Sequence, residues 1–234
     1  MLVVKKLILQ FIRLFGYDVK RIDSRKRGVI EPRPTGYERD KEGYEKIWSN
    51  KELVERYGHV HEVYYDRLVK FIDDLNLLDE VNSIADIGCG PGNLLNRLNM
   101  RWPGKELNGF DFSESALKVA QNKTGCAKLF QHDIYEPINM QFDFVLCCET
   151  LEHLLYPSRA LINVLNATKH KCLLTVPDGR TDTYEGHINF WSEESLGSFL
   201  LEFEKDWQTS IYHIADRLGA ILARRGVHSV HEKI

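Results

Sequence analysis

SIADIGCGPGNLL, residues 83–95, decides how the rest of the chain is read. Ile84 to Ile87 form a short apolar run that ends in glycine-rich sequence. Such a run reads as a buried parallel strand turning into a helix. Gly88, Gly90 and Gly92 permit tight turning and close backbone approach to a ligand. A loop of this kind, between strand and helix, is where α/β sheets bind cofactors. Two ligand classes compete for it. A dinucleotide site wants G-x-G-x-x-G and seats a pyrophosphate on the helix N-terminus. Here the spacing is G-x-G-x-G with Asp86 just before it, and an acid in that place suits a cationic or zwitterionic ligand better than a pyrophosphate.

Working outward, strands and helices alternate. ELNGFDF (106–112) reads as a strand, and SESALKVAQNK as a helix with Ser113 as its N-cap. KLFQHD is a strand and FDFVLCC a strongly apolar one. PSRALINVLNATK is a helix with Pro157 in its first turn. KCLLTVP is a strand, and SEESLGSFLLEF a helix capped by Ser192. QTSIYHIA and GAILARR read as two strands joined by a short turn at Asp216–Gly219. A pair joined so tightly must be antiparallel, because a parallel return needs a long crossover. The alternation predicts a parallel sheet with helices on both faces. Upstream, EPRPTG (31–36) marks a loop. Residues 38–57 and 61–78 follow as two helices, the second with Val63, Leu68, Phe71, Ile72 and Leu75 near helical spacing. The domain reading is a basic amphipathic segment over 1–35, a helical cap over 36–80 and an α/β domain over 81–234.

Composition narrows the function. The formal net charge of −3 argues against nucleic-acid binding by the chain as a whole. A local patch from Arg97, Arg101, Arg180, Arg224 and Arg225 stays open. The five cysteines are odd in number and form no C-x-x-C, and Cys147 and Cys148 sit in an apolar run. They read as reduced thiols in a cytoplasmic protein. No run reaches the ~18 apolar residues of a membrane span. The start, MLVVKKLILQFIRLFGYDVKRI, has a polar stripe (Lys6, Gln10, Arg13), a broad apolar face and basic residues after it. Residues 1–27 therefore suit an interfacial helix on an anionic membrane, or a helix docked on the core or on a second subunit.

Several motifs in order resemble the class I S-adenosylmethionine-dependent methyltransferases, over roughly residues 80–225. IADIGCGPGN resembles the family's first motif, whose loop (Asp86, Gly88, Cys89, Gly90, Gly92) wraps the methionine end of the cofactor. GFDFSESAL resembles the second-strand motif, in which Asp111, followed by Phe112, would hold both ribose hydroxyls. QHDIYEP resembles the third-strand motif, with Asp133 and Ile134 beside the adenine. FDFVLCCETLEHL resembles the fourth-strand motif, placing Cys148 and Glu149 beside the transferred methyl. The resemblance implies a Rossmann-like, seven-stranded, mostly parallel sheet whose last strand is antiparallel, with extra N-terminal helices. Turn or cap roles for Asp86 and Asp111 are the plainer alternative.

ETLEH (149–153) is the second decisive stretch. On a helix, Glu149, Glu152 and His153 share one face, with Leu151, Leu154 and Leu155 on the other. The polar loop TVPDGRTDTYEGHINFW brings His187 and Asp178 to the same sheet edge. Two carboxylates and two histidines make a divalent site from Glu149, Glu152, His153 and His187. Hard oxygens favour Mg²⁺ or Mn²⁺, and imidazoles admit Mn²⁺, Zn²⁺ or Fe²⁺. The E-x-x-E-H pattern with a later histidine resembles methyltransferases of small-RNA ribose 2′-hydroxyls and of ubiquinone biosynthesis, which implies metal-assisted O-methylation. Two readings compete. His187, with His153 and Glu149, could serve acid–base catalysis without metal, or the glutamates could simply favour a helix N-terminus. Tyr44 and Trp48 fall in the part that covers the cofactor in this family, although Tyr37 and Tyr44, at i and i+7, also fit a core stripe.

The acceptor loop is polar with aromatics, which suits a small hydroxyl-rich acceptor. The N-terminus resembles the leader of bacterial methyltransferases of surface-glycan and lipid-linked sugar assembly. That resemblance implies a sugar or glycolipid acceptor at the cytoplasmic membrane face. An RNA methyltransferase and a non-catalytic cofactor-binding partner are the alternatives, in a monomer or homodimer.

Overall fold

The computed structural model describes residues 36–182, 184 and 186–226. The amphipathic segment expected over 1–35 lies outside the described residues, as does the side chain of Tyr37. Helices α1 (Gly36–Ser49) and α2 (Lys51–Asp74) precede the sheet. The break between them falls at Asn50, not near residue 58. The Asn50 side chain accepts from Glu52 N and Leu53 N and caps α2. Gly58 is carried inside α2, because an interior glycine costs only ~1 kcal/mol and the packed face outweighs it. That face is Tyr64, Tyr65, Leu68 and Ile72; Val63 and Leu75, expected to be buried, are exposed.

Seven strands follow: β1 (Ser83–Ile87), β2 (Glu106–Asp111), β3 (Lys128–Gln131), β4 (Phe142–Cys148), β5 (Thr168–Pro177), β6 (Trp207–Ile214) and β7 (Arg217–Arg224). They form one sheet in the order β3-β2-β1-β4-β5-β7-β6. Pairs among β1 to β5 are parallel, and β7 runs antiparallel to both β5 and β6. Ile214 pairs with Arg217, so the hairpin turns at Ala215 and Asp216, earlier than Gly219 suggested. Gly219 instead lies within β7, where an added Cβ would collide with the Ile214 side chain.

Helices α3 (Asn93–Arg101), α4 (Glu114–Thr124), α5 (Pro157–Asn166) and α6 (Glu193–Leu200) complete the layers. Strand alternation divides the core. Val145 and Cys147 of β4 pack with Leu161, Val164, Leu196 and Leu200 of α5 and α6. Phe144 and Leu146 pack with Leu68, Ile72, Leu95 and Leu98 of α2 and α3. Ser113 caps α4 through Ala116 N, and Ser192 and Ser195 form a reciprocal capping box on α6. The result is a three-layer α/β/α fold whose parallel strands all end at one edge. No helix among the described residues is long and apolar enough to cross a membrane.

Candidate active site

The ends of β1, β2, β4 and β5 open on one cavity of about 760 Å³. On the side of β1 and β2 the glycine loop is tied down by its own backbone. Gly88 N and Cys89 N donate to Phe110 O at 2.7 and 3.0 Å. Gly88 has φ +83° and lies against Thr150, where a Cβ would overlap the hydroxyl, so only glycine fits. Asp111 Oδ2 accepts from Gly90 N at 2.8 Å, and Oδ1 from Ser113 N at 2.9 Å. Burial pushes the Asp86 carboxyl up to about 7, with Asp111 adding to the rise. Burial likewise raises Asp111 to about 6, against the pull of its backbone donors.

Of the residues expected around the cofactor, Gly88, Gly90, Asp111, Phe112, Ile134 and Glu149 line this cavity. Asp86, Cys89, Gly92, Asp133 and Cys148 stand behind or beside the lining. Asp133 accepts from Tyr135 N at 3.0 Å and pairs with Lys41 at 3.3 Å. Tyr44, Trp48, Tyr57 and His61 of α1 and α2 form an aromatic wall over the loop. Tyr44 lines the cavity and also packs against the cluster of Trp48, Val54 and Ala116, so it serves both expected roles.

The other side departs from expectation. ETLEH is not a helix start. β4 ends at Cys148, and Glu149 takes a left-handed φ of +52°. Leu151–His153 then make a single 3-10 turn. Glu149 N donates to Thr175 O at 3.0 Å, which turns the chain as it leaves β4. Its carboxylate accepts from Arg217 Nε at 2.6 Å and from Thr175 Oγ1 at 3.3 Å. Glu149 and Glu152 therefore share no helical face. Leu151 and Leu154 are buried as expected, but Leu155 is exposed.

Glu152, His153 and His187 do come together. The Glu152 carboxylate is fully buried, and neither of its oxygens has a hydrogen-bond partner. His153 Nε2 and His187 Nε2 each lie 4.0 Å from Glu152 Oε1. The opposite ring nitrogens are anchored. His187 Nδ1 meets Asp182 Oδ2 at 2.5 Å, and His153 Nδ1 meets Tyr44 Oη at 3.2 Å and Gly186 O at 3.3 Å. The loop carrying His187 is pinned to the 3-10 turn. Ile188 N and Asn189 N donate to Glu152 O at 2.9 and 3.1 Å, and Asn189 Nδ2 donates to Leu154 O at 2.6 Å. Burial, reinforced by Glu149, pushes the Glu152 carboxyl well above its usual range. Burial beside His187 lowers His153 to about 4. Burial raises Glu149 to about 7 against the pull of Arg217.

A buried acid without donors, facing two imidazoles, fits a divalent cation. One ligand atom from each of the three residues lies within 4.8 Å of the others. Both histidines have their second nitrogen held by oxygen, the arrangement that orients metal-ligating imidazoles. With Glu149 held by Arg217, the donor set is two nitrogens and one oxygen, which suits Mn²⁺, Fe²⁺ or Zn²⁺ better than Mg²⁺. Asp178, the expected additional group, is engaged by Arg180 at 2.7 Å, and those hydrogen bonds hold its carboxyl down to about 2. Asp182 stands in its place beside His187. The sequence reading had Asp182 in the right loop without a role, and it missed Arg217 altogether. The arginines considered as a patch are individually engaged: Arg97 by Asp66, Arg101 by Asp73, Arg180 by Asp178, and Arg224 and Arg225 by backbone carbonyls.

Residues 85–174 match a family described as a methyltransferase domain. Trans-aconitate 2-methyltransferase of Mycolicibacterium gilvum (strain PYR-GCK) is 34% identical over 77 residues, 33% of this chain and 28% of that protein. Trans-aconitate 2-methyltransferase of Escherichia coli (strain K12 / DH10B) is 30% identical over 96 residues, 38% of this chain and 37% of that protein. The chain thus spans about a third of the length of these curated relatives. Among solved structures, the plantazolicin methyltransferase BpumL in complex with S-adenosylhomocysteine superposes with a TM-score of 0.61 at 16% identity, over 81% of this chain and 99% of that one. The methyltransferase domain of bacterial CtHen1 gives 0.58 at 17% identity, over 70% and 98%. Residues 85–174 thus carry a methyltransferase domain by that match, and the strand order with its antiparallel β7 gives the chain the Rossmann-like fold of these solved methyltransferases.

Proposed function

We propose that this chain moves the methyl group of S-adenosylmethionine to a hydroxyl of a small, hydroxyl-rich acceptor such as a sugar or glycolipid head, with a divalent cation held by Glu152, His153 and His187. The observation that carries the reading is the buried Glu152 carboxylate, without a hydrogen-bond donor and facing two anchored imidazoles.

The chain's own groups divide the work. Asp111 accepts from the cofactor's ribose hydroxyls, exchanging its bond to Gly90 N for them. The backbone of Gly88 and Gly90 lets the methionine end lie close, and buried Asp86 opposes its ammonium. An alcohol is a poor nucleophile until its proton leaves, so the acceptor side must deprotonate and orient it. A bound cation supplies Lewis acidity that lowers the hydroxyl pKa. Glu152, His153 and His187 hold that cation; Asp182 and Tyr44 hold the histidines. The wall of Trp48, Tyr57 and His61 excludes water from the transfer path. The methyl carbon breaks its bond to sulfur as it bonds the acceptor oxygen, leaving S-adenosylhomocysteine.

A second reading rests on the Asp182–His187 contact. An imidazole oriented by a buried carboxylate can take the hydroxyl proton at Nε2 without metal. A methyl-transfer assay after chelation separates the two. Loss of activity in EDTA and recovery with Mn²⁺ supports the metal reading. Full activity in EDTA, abolished by His187→Ala, supports the histidine base. Peripheral membrane contact through residues 1–27 belongs to the same proposal, since it would bring a lipid-linked acceptor to the cavity. An RNA acceptor would show as a strongly salt-dependent affinity, and a non-catalytic partner role as failure to bind S-adenosylhomocysteine.

A further inference from the structure

Behind the aromatic wall lies a second cleft, of about 580 Å³, between α2, α3 and α4. Trp48 lines both cavities, and they share no other described residue. The buried polar groups of this cleft are donors. Asn93, at the start of α3, is only 5% exposed, and its Nδ2 has no hydrogen-bond partner. Lys123 Nζ of α4 donates to Asn93 Oδ1, which fixes the orientation of the amide and leaves Nδ2 as the unmet atom. α2 passes the amide at Gly58, where even an added Cβ would stay 3.9 Å from Nδ2. A buried donor left in this state is costly until an acceptor meets it.

Two cations stand beside that amide. Arg97, one turn further along α3, gives Nε to Asp66 at 2.8 Å, and its Nη nitrogens have no partner among the described residues. Its guanidinium lies 5.5 Å from the Tyr65 ring centroid, which holds it in place. Lys123 is half-buried and forms no ion pair among the described residues. Burial, followed by the charge of Arg97, holds its ammonium below the usual lysine range, and no carboxylate counters them. The acids of the cleft stand at its rim. Glu55 and Glu62 are more than half exposed and face Lys51 at 3.9 Å and His59 at 3.8 Å on their own helix.

We propose that this cleft is a binding site for a compact oxyanion, either free phosphate or the phosphate end of a larger molecule. An oxyanion has enough lone pairs to accept from Asn93 Nδ2, Arg97 Nη and Lys123 Nζ together, and its charge offsets the two cations. An apolar ligand or a cation would leave Nδ2 unmet and both charges uncountered. Trp48, Val54 and Val119 give the rest of the cleft an apolar wall, against which the organic part of an ester can lie. The site is separate from the methyl-transfer reading and does not depend on it.

The test is calorimetric titration of inorganic phosphate into the intact chain near neutral pH, with and without saturating S-adenosylhomocysteine. The expected result in both cases is saturable binding with a Kd of about 1 mM or tighter, the scale that a few charge-assisted hydrogen bonds supply. Lys123→Gln keeps a donor for Asn93 Oδ1 and should weaken binding about tenfold, as should Arg97→Gln. Lys51→Gln, at the rim, should leave it within about twofold. Phenyl phosphate separates the two sources: tighter binding than inorganic phosphate marks an ester, and equal or weaker binding marks the free ion. The inference is overturned by absence of phosphate binding to wild type, or by its displacement by S-adenosylhomocysteine, which would place it in the cofactor cavity. Binding untouched by both Lys123→Gln and Arg97→Gln, or an equal loss in Lys51→Gln, also overturns it.

Discussion

The two halves of the cavity are built to different rules. On the β1–β2 side every acid that lines the cavity is satisfied by backbone: Asp111 accepts from Gly90 N and Ser113 N. On the β4–β5 side Glu152 is as deeply buried, yet no donor meets it. The first half sits on regular elements and is complete before any ligand arrives. The second is a left-handed residue, one 3-10 turn and a stapled loop, and it carries a buried charge that only a ligand or a proton relieves. Under the proposed function, regular elements hold the cofactor side and irregular backbone holds the acceptor side.

That contrast can be broken at several points. The largest effect belongs to Asp111→Ala, which removes the proposed acceptor of the ribose hydroxyls. Affinity for S-adenosylhomocysteine should fall at least about a hundredfold, the ~3 kcal/mol of a charged hydrogen-bond pair. Calorimetry showing an unchanged affinity would contradict the assignment of the first half. Asp182→Asn frees the His187 ring and should lower Mn²⁺ affinity and turnover by about ten- to a hundredfold. Cofactor affinity should stay unchanged, and a matching loss of cofactor affinity would mark Asp182 as merely structural.

Glu152→Gln tests the unsatisfied charge from the opposite direction. The metal-free variant should be more stable than wild type by about 1–3 kcal/mol, because an unpartnered buried acid is gone. Thermal unfolding should also lose its response to Mn²⁺. A destabilised variant would mean that Glu152 is satisfied in the apo protein.

The acids under the cofactor loop give a smaller, pH-dependent signal. Asp86 and Asp111 have folded values of about 7 and about 6, raised from 3.8. Raised acids bind protons more tightly in the folded state, so their contribution weakens as pH rises from about 4 to about 7. A cofactor ammonium lowers those values again. Binding should therefore release protons and be tighter at pH 8 than at pH 5. Calorimetry in buffers of different ionisation enthalpy reads this directly, and net proton uptake at pH 6.5 would refute it. Smallest of all, Arg180→Ala removes a surface pair with Asp178 and should leave the thermal unfolding midpoint essentially unchanged.

Legibility in the sequence follows the same division. The strand–glycine–helix passage, the Ser113 and Ser192 caps and the antiparallel final hairpin were all readable, because period, cap chemistry and loop length act locally. ETLEH misled because i, i+3, i+4 spacing presumes a helix, whereas Glu149 spends its backbone on Thr175 and adopts a left-handed turn. Its partner Arg217 is 68 residues away on an antiparallel strand, and no local pattern announces that. Asp178 and Asp182 are chemically equal in the sequence; only the fold of the loop, with Arg180 closing on the first, leaves the second to His187.

The most direct test is calorimetry of Mn²⁺ into the S-adenosylhomocysteine complex of wild type and Glu152→Gln. The account predicts one ion bound by wild type and none by the variant, with equal cofactor affinity in both. Cofactor binding without any Mn²⁺ binding to wild type would contradict it and leave His187 as a base held by Asp182.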